Sequence, residues 1–136
     1  MPESTGAMLR PLAVMMRRDI QSIGPDATLI EAARKMRAAR VGALWVLDAG
    51  TYIGVVTEAD LVRKAMAEGF DPVQESIRRI MSSPVIVIEV DRSAHDASDL
   101  MAEKGVRHLA VSQENQIIGT ISVRDLLRYF KNWGSV

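Results

Sequence analysis

The chain has 136 residues with 17 Lys+Arg against 17 Asp+Glu, 48% hydrophobic and 25% charged residues, and no cysteine. That is one domain's worth of chain with an ordinary globular composition, and the missing thiols exclude disulfide frameworks, thiolate catalysis and Cys-based metal sites. Nine basic and eight acidic residues in positions 1–68, then eight and nine in 69–136, leave no basic lobe to neutralise a row of phosphates, which disfavours wholesale nucleic-acid binding, so no nucleic-acid partner is expected.

In chain order, residues 1–16 have no basic start followed by a long apolar stretch and a cleavage site, so no secretory signal is expected and the cytoplasm is the expected compartment. Residues 20–23, bounded by Ile20 and Ile23, predict a short strand. Thr28-x-x-Glu31 has the hydroxyl-then-carboxylate spacing of a capping box, and Leu29, Ala32, Ala33 and Met36 follow at helical spacing. Apolar runs at 44–47 and 52–56 flank Asp48-Ala49-Gly50 and predict an antiparallel hairpin. After Thr57, the residues Leu61, Val62, Ala65 and Met66 restore helical spacing up to Gly69, and residues 67–76, with Gly69 and Pro72, read as a connector. The same order then recurs: a strand over 85–90, Ser93-x-x-Asp96 opening a helix through Ala97 and Met101, a hairpin around Gln113-Glu114-Asn115, and a last helix after Ser122. The apolar runs at 41–47 and 85–88 are far shorter than the roughly 18 residues a membrane helix needs, so no membrane span is expected.

The recurrence is a duplication. An offset of 65 aligns residues 12–66 with 77–131 without a gap, and 13 of the 55 pairs are identical, among them Met16/Met81, Gly54/Gly119 and Asp60/Asp125; chance gives about three or four at ordinary composition. The fold class expected is α+β, two copies of strand-helix-strand-strand-helix within a single module spanning 1–136. A three-stranded sheet with helices on one side leaves its other apolar face needing a cover, which the second copy would supply by pseudo-twofold, sheet-to-sheet packing.

Gly54-Val-Val-Thr57-Glu-Ala-Asp60-Leu61 and Gly119-Thr-Ile-Ser122-Val-Arg-Asp125-Leu126, with Met81-Ser-Ser-Pro84 and Gly105-Val-Arg107-His108-Leu109, resemble the cystathionine-β-synthase (CBS) domain. Covering nearly the whole chain, they are similar to a tandem CBS pair, or Bateman module. The resemblance implies a disc-like module, usually a homodimer of such pairs, that binds adenosine-containing ligands in clefts between its two motifs and regulates another protein.

A nucleotide bound without a glycine-rich phosphate loop needs an acceptor for the ribose, donors for the phosphate and an apolar slot for the base. A carboxylate accepts from two vicinal hydroxyls, with a hydroxyl three residues earlier adding a bond; Thr57 with Asp60 and Ser122 with Asp125 have that arrangement and match the family's ribose-binding pair. The same spacing is also a helix-capping box, and both roles are compatible where a helix N-terminus faces the ligand. Arg107 and His108 match a basic pair that contacts phosphate in the family, Arg124 is a third candidate, and the first-motif equivalents Gly42 and Ala43 cannot donate from side chains. This asymmetry favours one good phosphate site over two. For the base the resemblance implies Val85, Val87 and Leu109, with Ile20 and Ile23 as first-motif equivalents, although Asp19 replaces the proline found at Pro84; apolar residues of this kind are also what a core uses. His95 reads as a solvent-facing helix start, the methionines Met15, Met16, Met66, Met81 and Met101 as core filling, and Trp45 and Trp133 as packing or anchors of a dimer surface.

The function expected is a non-catalytic regulatory sensor of an adenine nucleotide, of AMP, ADP, ATP or NAD type, with the nucleotide as regulatory ligand rather than catalytic cofactor. It would act through an unidentified regulated protein or its own assembly state. The alternative is a ligand-free dimerisation module whose Thr/Asp pairs only cap helices. An enzyme is disfavoured, since no nucleophile with a neighbouring base, metal cluster or phosphate loop stands out.

Overall fold

A computed structural model describes the backbone of residues 11–134 and the side chains of residues 11–130. Among the described residues, two three-stranded sheets and four main helices make up the fold, with short 3-10 helices at Leu12–Val14 and Ile77–Arg79. The first sheet has the order β1 (Ser22–Ile23), β2 (Ala43–Asp48), β3 (Thr51–Thr57); the second has β4 (Val87–Glu89), β5 (His108–Gln113), β6 (Gln116–Ser122). In each, the first strand runs parallel to the second and the second antiparallel to the third. Helix α1 (Leu29–Ala39) follows β1 and α3 (Ala94–Lys104) follows β4. Helix α2 begins as Glu58–Asp60 and widens into a π-helical stretch over Leu61–Met66, whereas its counterpart α4 (Val123–Gly134) is α-helical throughout.

Local chemistry explains most of these boundaries. Thr28 and Ser93 accept from the backbone of Glu31 and Asp96, whose carboxylates return the bond to the cap residue's own N–H, closing both capping boxes. The hairpins turn through two residues of positive φ, Ala49 (49°) and Gly50 (83°) in one, Glu114 (51°) and Asn115 (65°) in the other, the geometry that matches strand twist. Strands β1 and β4 are shorter than the sequence predicts, yet pairing extends beyond them: Trp45 N donates to Gln21 O and Ala110 N to Ile86 O. The peptide Ser83–Pro84 is cis.

The chain forms two compact units, cut elsewhere than the sequence repeats. One unit is Ile20–Val85; the other joins the described residues up to Asp19 to those from Ile86 onward. The segment that opens the first repeat therefore packs on the second sheet, where Leu12 N donates to Arg92 O and Arg17 exchanges two 2.8 Å backbone bonds with Thr120 of the edge strand β6. Its counterpart does the same to the first sheet, with Ile77 N donating to Ala27 O and Ser82 exchanging two 2.9 Å bonds with Val55 of β3. Each strap inserts a fully buried apolar side chain, Leu12 among Leu109, Val111 and Ile121, and Ile77 among Leu44, Val46 and Val56. The strap runs so close to the edge strand that only glycine fits opposite it: a Cβ on Gly119 would lie 2.7 Å from Arg17 O, and one on Gly54 2.7 Å from Ser82 O.

Of the five methionines expected to fill the core, only Met66 departs from expectation. Met101 lies in the second core, Met15 and Met16 pack against it, and Met81 packs against the first. Met66 is 76% exposed, on the same uncovered side of its helix as Val62 one turn earlier, while Ala65 enters the core. Trp45 is buried within the chain and is no exposed anchor, while the side chain of Trp133 lies outside the described residues. His95 is half-exposed and sits 3.3 Å from Asp99 one turn on.

Candidate functional site

In the second unit, the end of the β5–β6 hairpin gathers the residues singled out for ligand chemistry. His108 lies directly across from Ser122 in the strand register, and Val123 N donates to Arg107 O at 3.0 Å. The basic pair and the Ser122–Asp125 turn are therefore cross-strand neighbours, with paired Cβ atoms about 5 Å apart in such a ladder. Arg107 and Arg124 are exposed, and no carboxylate among the described residues forms an ion pair with either.

Asp125 is 7% exposed and is held by one oxygen: Oδ2 accepts from Ser122 N and Ser122 Oγ, both at 2.9 Å, while Asp125 N donates to Ser122 Oγ at 3.1 Å. Oδ1 accepts from no donor among the described residues. The turn thus caps α4 with one oxygen and leaves the other for an external donor, at a helix end whose free N–H groups favour an anion. Of the residues named for the base, Val87 is exposed on β4, Leu109 is fully buried in the second core, and Val85 is half-buried at the end of the other unit.

The first unit repeats the backbone of this site with other side chains. Ala43 pairs with Thr57, Glu58 N donates to Gly42 O at 3.0 Å, Thr57 N donates to Asp60 Oδ2 at 2.9 Å and Asp60 N to Thr57 Oγ1 at 3.2 Å. Gly42 stands where the second unit has Arg107, and the Glu58 carboxylate lies over it, in the space a Cβ would take. Lys64 Nζ sits 3.0 Å from Asp60 Oδ1. Ile20 is half-buried ahead of β1, and Ile23 packs against the first core. Sequence comparison of the repeats passes over Lys64 and Glu58, because their counterparts are Tyr129 and Val123 and a search for matching positions discards mismatches.

The class defined by these features is a duplicated α+β module in which each copy ends its hairpin on a hydroxyl–carboxylate turn that opens a helix. The chain belongs to the CBS domain family, whose model matches residues 12–67 and again 77–132. An uncharacterized protein of Methanopyrus kandleri is 37% identical over 114 residues, 82% of this chain, and the chain spans 58% of that relative's length. Among solved structures, an uncharacterized conserved protein from Pyrococcus horikoshii matches with a TM-score of 0.85 at 28% identity, covering 91% of this chain and 94% of that one. A hexameric CBS-CP12 protein from bloom-forming cyanobacteria matches with a TM-score of 0.81 at 29% identity, covering 88% of this chain and 67% of that one.

Proposed function

We propose that this chain is a non-catalytic regulatory module that binds an adenosine nucleotide at the Ser122–Asp125 turn. The observation that carries the reading is the juxtaposition of an acceptor and donors at one hairpin end: the open Oδ1 of Asp125 beside the exposed Arg107 and Arg124 and the cross-strand His108. A ribose diol donates to the carboxylate, and the phosphate meets guanidinium forks that no carboxylate among the described residues pairs with. Binding favours one of two arrangements of the assembly only by the ligand's difference in affinity for them, and that difference is the signal passed to a partner protein.

The module acts as a homo-oligomer in this reading, a homodimer being the smallest. Val62 (58% exposed) and Leu127 (64%) are equivalent positions on α2 and α4 that leave apolar surface uncovered, and a hexameric protein stands among the similar structures. A second reading, assembly without ligand, draws support from the capping bonds at Thr57–Asp60 and Ser122–Asp125, which give both carboxylates a structural task.

Thermal melting of nucleotide-free protein with AMP, ADP, ATP, adenosine or NAD separates the two. A ligand at a hundred times its Kd stabilises by about 2.7 kcal/mol. The nucleotide reading predicts a concentration-dependent rise that Asp125→Ala removes. A rise that survives Asp125→Ala moves the nucleotide away from this turn, and no rise with any of these ligands leaves the capping and assembly reading in its place.

A further inference from the structure

We propose that Lys64 closes the Asp60 turn from within, so that each chain holds one adenosine nucleotide, at Asp125, although it carries two copies of the turn. The inference rests on the nucleotide reading above and adds to it which turn works and why.

An ammonium group has three donors, and each of the three on Lys64 has an acceptor: Asp60 Oδ1 at 3.0 Å, Ile80 O at 3.0 Å and Ser82 Oγ at 3.4 Å. Ile80 and Ser82 belong to the strap that is itself bonded to β3 through Val55. The lysine therefore ties the helix carrying Asp60 to a fixed strap and occupies the oxygen that Asp125 leaves open. A ribose hydroxyl approaching Asp60 competes with a cation for the same oxygen, and a neutral donor does not replace the charge it displaces.

The second unit has none of these parts. The counterpart of Lys64 is Tyr129 and that of Ser82 is Arg17, and no Lys or Arg among the described residues forms an ion pair with Asp125. The phosphate side differs in the same sense. Where the second unit offers Arg107, the first has Gly42 covered by the Glu58 carboxylate, so an anion next to Asp60 would meet negative charge. Lysine on the ribose acceptor and glutamate on the phosphate position both turn a nucleotide away, at two separate points of the turn.

The test is the number of AMP molecules bound per chain, measured by equilibrium dialysis of nucleotide-free protein. The expected result is one in the wild type, lost in Asp125→Ala and kept in Asp60→Ala. The double variant Lys64→Met with Glu58→Gln, both at positions with solvent exposure, is expected to bind two, returning to one when Asp60→Ala is added. Melting curves of each variant without AMP show that it is folded. Two molecules bound by the wild type, a single site lost with Asp60 rather than Asp125, or no gain in the double variant would overturn the inference while leaving nucleotide binding intact. No AMP bound by the wild type, nor any other nucleotide in the melting series, is instead the failure of the nucleotide reading.

Discussion

Leu12 opens the first repeat but is buried in the second core, and truncating it tests that exchange. Its side chain has no exposure and shares a core with Leu109, Val111 and Ile121. Leu→Ala at such a site costs about 2–5 kcal/mol, a large part of the roughly 5–15 kcal/mol that holds a domain folded. The loss alone does not say which core was damaged, but a double-mutant cycle does. Val111 and Val46 occupy equivalent positions on β5 and β2, both fully buried, one in each core. Urea unfolding of Leu12→Ala combined with Val111→Ala should depart from additivity by about 0.5 kcal/mol or more, as neighbours sharing a cavity do, whereas the combination with Val46→Ala should add within about 0.5 kcal/mol. Coupling to Val46 with additivity at Val111 would refute the assignment of the strap to the second sheet.

Gly119→Ala should destabilise by about 1–3 kcal/mol, because its Cβ would press on Arg17 O at 2.7 Å and part the strap from β6; hydrogen exchange at Arg17 and Thr120 should rise first. Asp96 has its carboxyl held below the ordinary value of 3.8, chiefly by the backbone N–H of Ser93, then by the Ser93 hydroxyl and by Arg92 and His95, against a raising effect of desolvation. A depressed folded pKa contributes stability present above the unfolded value and lost as pH falls through the folded one, so melting temperature should drop as pH falls below about 4, and less steeply in Asp96→Ala. Arg107→Ala should weaken AMP binding about tenfold, in line with roughly 1.5 kcal/mol for one charge-assisted hydrogen bond, and leave adenosine binding unchanged; equal losses for both ligands in calorimetry would remove Arg107 from the phosphate.

What the sequence makes legible here is what local chemistry dictates. The repeat, the hairpins and the capping boxes rest on residues within a few positions of one another, so Thr28/Glu31, Ser93/Asp96 and the Asp48–Gly50 turn announce themselves. The Ser122–Asp125 turn and Arg107–His108 are legible as motifs, and the strand register then makes them neighbours. The strap exchange is not legible, since matching Leu12 with Ile77 says that the two are equivalent without saying which sheet receives which. Nor is the Lys64 bridge, whose partners Ile80 and Ser82 lie 16 and 18 residues away and contribute a carbonyl and a hydroxyl that no motif marks. The exposure of Met66 is not legible either, because an apolar residue at helical spacing is read as core, whereas Val62 and Met66, one turn apart, share a side of the helix that the chain leaves uncovered.

The most direct test of the account is an AMP titration of the nucleotide-free protein followed by backbone amide NMR. Saturable shifts centred on Arg107, His108 and residues 122–125 are expected, with the Thr57–Asp60 amides outside the perturbed set. Shifts centred on residues 57–60, or none at AMP concentrations into the millimolar range, would contradict it.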